Sequence, residues 1–152
     1  MTTATYATAT YETDFYGWAL RQADLLRHEE YAEIDLDNLI EEIEDMGRSQ
    51  RDALESHLTV LLRHLLKLAA LPNSNPSRGW RLTIKEQRQQ IRRLLKKNPS
   101  LRPLLPDMVI DLYDDARELA TDDLALDELA GSTLPVHCPW TVEQMLESDW
   151  LP

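Results

Sequence analysis

Apolar residues recur at steps of three and four between residues 35 and 71, and this spacing predicts one long α-helix. No proline interrupts the segment. The apolar positions on one face of this helix are Leu36, Leu39, Ile40, Ile43, Met46, Ala53, Leu54, Leu58, Leu61, Leu65 and Leu68. Because such a face is normally buried against other elements, we expect a second layer of helices to cover it. Gly47 indicates either a kink or the close approach of a neighbouring helix.

The same periodicity predicts shorter helices before and after the long one. A first helix is expected to follow Thr13, a residue type that caps helix N-termini, and to end near residue 27 or 28. Residues 72–79 contain two prolines and read as a loop, and residues 80–97 form the next predicted helix. Another helix is predicted from Pro106, with Val109, Leu112, Tyr113, Ala116, Leu119 and Ala120 facing inward.

Residues 122–135 are acidic and partly irregular, and Thr141 with Gln144 has the spacing of a capping box that opens a last short helix. No strand-like alternation persists in the sequence. We therefore predict an all-α fold: a single-domain bundle of about four main helices, one of them long, plus short terminal helices. The domain is expected to span residues 11–152, after a flexible tail at residues 1–10.

Composition is that of an ordinary globular protein, with 43% hydrophobic and 28% charged residues in a chain of 152. The net charge of −11 disfavours a generic nucleic-acid binder and a protein spread on an anionic membrane. The single cysteine, Cys138, excludes an intramolecular disulfide, and the first ten residues lack the pattern of a signal peptide. The apolar run at residues 58–71 is too short for a membrane span. We expect a cytoplasmic protein.

Several short motifs occur in an order that resembles a known family. They are YETDFYGW at 11–18, QADLLR at 22–27, NLIEEIEDMGRS at 38–49, HLLK at 64–67, WR and TI at 80–84, PSL at 99–101 and CPWT at 138–141. The pattern is similar to the bacterial family called "domain of unknown function 29". The resemblance implies a compact helical fold and a bacterial origin, but it implies no activity. The chain departs from the family in the loop at residues 73–76, which reads NSNP where relatives carry a more polar, arginine-rich loop.

Residues 78–97 have an unusual charge, with eight of the sixteen Lys and Arg residues against one acid, a segment charge of +7. The candidate binding residues here are Arg78, Trp80, Arg81, Lys85, Arg88 and Arg92. A basic stripe of this kind can contact the phosphates of a nucleic acid or of a phosphate-bearing ligand. It can also pair with acidic helices of the same chain or of a partner, and the 26 carboxylates elsewhere favour this second interpretation.

Clustered carboxylates in the long helix give a metal-binding alternative. Asp37, Glu41 and Glu44 lie near one helix face, and carboxylates can hold Mg²⁺ or Ca²⁺ in a metal-dependent hydrolase. The simpler interpretation is ordinary charge patterning near a helix N-terminus, with an ion pair between Glu44 and Arg48. His57 is expected to be a hydrogen-bonded core residue, and Cys138 a small buried residue rather than a nucleophile.

The segment at residues 58–71 carries ten apolar residues out of fourteen, on more than one helix face. Such a helix is central to a bundle or is buried by another subunit, so we expect a homo-oligomer formed through this segment. The sequence favours a non-enzymatic binding or assembly module that self-associates, with no cofactor, a possible protein partner and no membrane partner. The alternatives are nucleic-acid or phosphate-ligand binding through residues 78–97, and the metal-dependent hydrolase.

Overall fold

The computed structural model describes residues 6–127 and 133–152, which hold five α-helices and no strand. The helices are α1 (Phe15–Arg27), α2 (Leu36–Ala70), α3 (Ser77–Lys97), α4 (Leu105–Leu126) and α5 (Val142–Leu146). Two 3₁₀ turns, Tyr31–Glu33 and Pro99–Leu104, precede α2 and α4. The predicted all-α fold is therefore confirmed. Residues 1–5 of the predicted flexible tail and residues 128–132 of the irregular segment lie outside the described residues.

The helix boundaries follow local sequence signals, with two exceptions. The Asp14 carboxylate, not Thr13, caps α1, because its Oδ1 accepts a hydrogen bond from the Gly17 N–H at 3.0 Å. α3 begins at Ser77, three residues before the predicted start. The capping box of α5 is present as predicted, with Thr141 and Gln144 exchanging hydrogen bonds.

Contacts divide the chain into two compact units, unit 1 (Met1–Arg48) and unit 2 (Ser49–Pro152). In unit 1, Trp18 is buried, and its indole Nε1 donates to Asp35 Oδ2 at 3.0 Å. Gln22 is also buried, and its side-chain oxygen accepts a hydrogen bond from the Asp35 N–H at 2.8 Å. These two hydrogen bonds hold Asp35, the residue immediately before α2, against α1.

In unit 2 the later part of α2 is central to the core. Leu54, Leu58, Leu61, Leu62, Leu65, Leu66 and Leu68 have no exposed surface. They pack in one hydrophobic cluster with residues of α3, α4 and α5, including Ile84, Ile91, Met108, Ala116 and Met145. Hence the leucines from Leu58 to Leu68, in the segment that was expected to mediate self-association, are enclosed by their own chain.

α2 runs without interruption through Gly47, and a Cβ added there would meet nothing within 4 Å. The expectation that other helices cover the whole apolar face of α2 is confirmed from Leu54 onward and is wrong for the first part of the helix. Leu36, Ile40, Ile43 and Met46 are 47–63% exposed. Leu119, expected to face inward on α4, is also partly exposed.

Candidate binding surfaces

A cleft of about 500 Å³ lies along α3, beside the last residues of the chain. Four of the six predicted binding residues line it: Arg81, Lys85, Arg88 and Arg92. Gln89 and Asp149 contribute further polar groups to the same wall. The one-sided spacing of the basic residues on α3 explains this convergence, since residues three and four apart share a helix face.

Arg88 is the buried anchor of this cleft, with only 2% of its surface exposed. Its Nε donates to the Met145 carbonyl at 2.7 Å, and its two terminal nitrogens donate to the carbonyls of Ser148 at 3.3 Å and Trp150 at 2.8 Å. A guanidinium presents five donors in a rigid fork, which suits a chain segment with several unpaired carbonyls. Burial, followed by the nearby charge of Arg92, lowers the pKa of Arg88.

Arg92 holds the same segment from the solvent side. Its guanidinium donates to the Leu146 carbonyl at 2.8 Å and to the Ser148 hydroxyl at 2.6 Å. Arg88 and Arg92 therefore attach residues 145–150 to α3. Spacing alone did not indicate this role, because the acceptors are backbone carbonyls more than fifty positions away in the sequence.

The other two predicted binding residues lie elsewhere. Trp80 is buried in the core of unit 2, and the Nζ of Lys67 lies 5.1 Å from the centre of its ring. Arg78 is exposed and does not line the cleft. Trp80 is thus a packing residue, whereas Arg78 is an ordinary surface cation.

The basic residues of α3 make no ion pair with any carboxylate in the described parts of the chain. Pairing of this stripe with acidic helices of the same chain is therefore not seen in residues 6–127 and 133–152, and pairing with a partner's acidic face stays a prediction. The partners of Arg88 and Arg92 are carbonyl and hydroxyl oxygens, which carry no formal charge. Their positive charges are left without a neutralising contact.

Sequence reasoning missed a second cluster of charged groups, located between α2 and α4 in unit 2. Asp123 accepts two hydrogen bonds from Arg63, at 2.5 and 2.6 Å, and one from Lys67 at 2.7 Å. The Arg63 hydrogen bonds, with help from Lys67, lower the pKa of Asp123 to about 2. The position of Lys67 within a run of leucines was the one available signal, since a lysine on a buried face needs a partner.

The acidic residues proposed as metal ligands are exposed near the start of α2. Among the residues that the structure describes, no group of three or more His, Cys, Asp or Glu side chains is arranged to hold a metal ion. Arg48 instead lies 3.8 Å from Glu41 and 3.6 Å from Glu44, and it also pairs with Asp45. Asp37 is also exposed, next to Leu36 at the start of α2. The predicted pairing of Glu44 with Arg48 is confirmed.

The remaining candidate side chains have ordinary surroundings. His57 is hydrogen-bonded, as expected, with its Nδ1 2.6 Å from Gln87 Oε1. Burial lowers the pKa of His64, whose Nδ1 lies 2.8 Å from the Val60 carbonyl. Burial raises the pKa of the Cys138 thiol, which favours the unreactive protonated form.

The first part of α2 presents an exposed apolar surface within unit 1. We call Leu36, Ile40, Ile43 and Met46 the apolar stripe; they follow one another at steps of four, three and three. The stripe is roughly 15 Å long at 1.5 Å per residue. Asp37, Glu41, Glu44 and Asp45 are the exposed carboxylates interspersed with it.

Comparison with protein families places the chain among proteins that share its motifs. The model for "Domain of unknown function DUF29" matches residues 10–151, nearly the whole sequence. This chain belongs to the DUF29 family. The resemblance seen in the sequence motifs is thereby confirmed, and the family's description assigns no activity. No curated protein and no solved structure matches the chain.

Within residues 6–127 and 133–152, none of the helices has the length and apolar character needed to span a bilayer.

Proposed function

We propose that this protein is a non-enzymatic binding module, and that its apolar stripe docks an amphipathic helix with basic flanks from a partner protein. The observation that carries the proposal is the exposure of Leu36, Ile40, Ile43 and Met46, which together form one helix face. Contiguous apolar surface of this kind is uncommon on a soluble protein unless a partner covers it.

The periodicity of α2 supports a helix as the occupant. Leu54 and the leucines after it are fully buried by packing within unit 2. The apolar stripe repeats the same three- and four-residue spacing, and such spacing is suited to receive a helix in a groove.

Charge supports a basic partner over a second copy of the chain. Residues 1–48 contain twelve Asp and Glu against three Arg, so this part carries −9 of the total −11. Two copies that meet through the apolar stripe would bring two such units together, and like charges oppose that association. Lysines or arginines that flank an apolar face would instead meet the carboxylates beside the stripe.

Exposed apolar residues are also concentrated in this unit. Nine of the sixteen large apolar side chains that are exposed in the described residues lie in unit 1, which has less than a third of the chain. Those outside the apolar stripe are Phe15, Tyr16, Leu20, Leu26 and Tyr31. Aromatic residues at an exposed surface are frequent anchors of protein interfaces, which is consistent with a docking role for this unit.

A titration with designed helices tests the proposal. The probe is a synthetic amphipathic peptide of about 18 residues, roughly 27 Å when helical, with leucines on one face and flanking lysines. Its twin carries glutamates in place of the lysines. We expect calorimetry to detect binding of the lysine peptide alone, and we expect Ile40→Gln with Ile43→Gln to weaken it about tenfold or more, because two buried anchors are lost.

The matched control is Ile110→Gln, which alters an isoleucine of α4 that is 71% exposed. This variant should bind the lysine peptide as the unmodified protein does. Equal binding of the two peptides, or an equal effect of Ile110→Gln, would contradict the proposal. Sedimentation of the protein alone gives a separate outcome: a dimer that the Ile40 and Ile43 substitutions dissociate would identify a second copy as the occupant and would also contradict it.

A further inference from the structure

We infer that the cleft along α3 binds a small phosphorylated ligand, with Arg81 and Lys85 as the residues that contact the phosphate. This inference concerns unit 2 and does not depend on the apolar stripe. It rests on three observations. These are the shape of the cleft, the positive charge on its wall that no ion pair neutralises, and the difference between basic residues whose donors bind the chain itself and those whose donors remain available.

The cleft has the size of a small-molecule site. Its volume of about 500 Å³ falls in the range of roughly 300–1,000 Å³ that is typical of ligand pockets. Leu151, 37% exposed, provides apolar surface on the same wall, which suits the organic part of a phosphate ester. A concave site of this size holds one small ligand better than it follows a polymer.

The wall of the cleft carries an excess of positive charge. Arg81, Lys85, Arg88 and Arg92 face a single carboxylate on the wall, Asp149, so the lining has a formal charge of +3. None of these five groups takes part in an ion pair in the described residues. Glu147 also acts on Arg88, but from beyond ion-pair distance.

The four cations differ in what their donors already bind. Arg88 and Arg92 donate to carbonyl and hydroxyl oxygens of residues 145–150, so these two hold the wall in place. Arg81 makes one long hydrogen bond, to the Pro72 carbonyl at 3.4 Å. Lys85 has no hydrogen bond or ion pair within residues 6–127 and 133–152.

Arg81 and Lys85 therefore have donors available for a ligand, and they are one helical turn apart on the same face. A guanidinium matches the geometry of phosphate oxygens, while an ammonium adds a mobile point charge. Phosphate has both the charge and the acceptor oxygens to satisfy the two side chains together. A polymeric nucleic acid is a poorer fit, because the chain as a whole carries −11.

Calorimetric titration of the full-length protein with three probes tests the inference: adenosine 5′-monophosphate, adenosine and inorganic phosphate. We expect the monophosphate to bind and adenosine not to bind. Inorganic phosphate should compete for the site. Arg81→Gln with Lys85→Gln should weaken monophosphate binding about tenfold or more, which is the loss expected for two charge-assisted contacts.

The control is Arg93→Gln with Lys96→Gln, two exposed residues of α3 that do not line the cleft. It removes the same charge from the same helix, so it distinguishes binding in the cleft from a nonspecific attraction of anions to α3. An equal loss of binding in the control pair would overturn the inference, and so would binding of adenosine as tight as that of the monophosphate. Failure of both phosphate probes, or binding of a single-stranded oligonucleotide in their place, would overturn it as well.

Discussion

Arg88 belongs by its helical spacing to a basic stripe, yet it is buried and supports the chain from inside. Its three hydrogen bonds to carbonyls tie residues 145–150 to α3, and its burial follows from that segment lying over it. The charge is retained in a buried position because backbone carbonyls, although formally neutral, are strong acceptors.

Replacement of Arg88 by methionine should destabilise unit 2. The methionine fills part of the volume but leaves the carbonyls of Met145, Ser148 and Trp150 without this donor. We expect a loss of roughly 2–4 kcal/mol in the free energy of unfolding, measured by urea denaturation. Arg93→Met, at an exposed position of the same helix, should change it by less than about 0.5 kcal/mol. Equal effects of the two substitutions would refute the anchoring role.

Asp123 should make stability depend on pH in the acid range. Its folded pKa of about 2 lies below the ordinary value of 3.8, so its contribution is complete above pH 4 and is lost as pH falls toward 2. The shift corresponds to about 2 kcal/mol. Asp123→Asn should remove this amount at pH 7 and flatten the loss of stability between pH 4 and pH 2.

The comparison for this prediction is Asp115→Asn, which neutralises an exposed carboxylate of α4 that forms no ion pair. Thermal or urea unfolding measured at several pH values should give a nearly unchanged profile for it. A profile for Asp123→Asn that keeps the full acid dependence of the original protein would show that another group is responsible.

Two glycines give opposite expectations under the same substitution. At Gly17 an added Cβ would come within 2.9 Å of the Ala9 Cβ and would also collide with the Asp14 carboxylate that caps α1. Gly17→Ala should therefore destabilise unit 1 by about 1–3 kcal/mol. Gly47→Ala, where nothing lies within 4 Å, should stabilise α2 by about 0.5–1 kcal/mol. Circular dichroism during urea denaturation measures both, and a destabilised Gly47→Ala would indicate an interaction with this glycine that the free chain does not make.

At the scale of the helices, local pattern was sufficient to predict where most elements lie. α2 was expected between residues 35 and 71 and spans Leu36–Ala70, because its apolar spacing persists over ten turns without a proline. The 3₁₀ turn at Tyr31–Glu33 and the capping box at Thr141 also follow short-range rules. These signals depend on residues that are neighbours in the chain, so a single sequence is enough to recognise them.

The contacts of each helix face were harder to predict from the sequence, because they join residues that are far apart in the chain. The apolar stripe and the buried leucines of α2 have the same spacing, yet only the second group is covered. Similarly, the spacing on α3 grouped Arg88 with its exposed neighbours, and the covering segment lies more than fifty residues later. Four of the six predicted binding residues still line one cleft, since helix periodicity alone keeps them on one face.

At the scale of the whole chain, charge and exposed apolar surface are distributed unequally. Unit 1 carries −9 and most of the exposed large apolar residues, whereas residues 49–152 carry −2 and enclose a continuous core. The basic residues of α3 account for the near-neutrality of the second unit. The acidic apolar surface of unit 1 and the basic cleft of unit 2 are the features on which the two proposals rest.

The most direct test of the docking proposal is an NMR titration of isoleucine-methyl-labelled protein with the lysine-flanked amphipathic peptide. The chain has six isoleucines, of which Ile40 and Ile43 belong to the apolar stripe, Ile84 and Ile91 to the core of unit 2, and Ile110 to the exposed surface of α4. We predict that the methyl signals of Ile40 and Ile43 shift in proportion to bound peptide while that of Ile110 does not. Unchanged signals for Ile40 and Ile43 at saturating peptide, or equal shifts at Ile110, would contradict the proposed docking function.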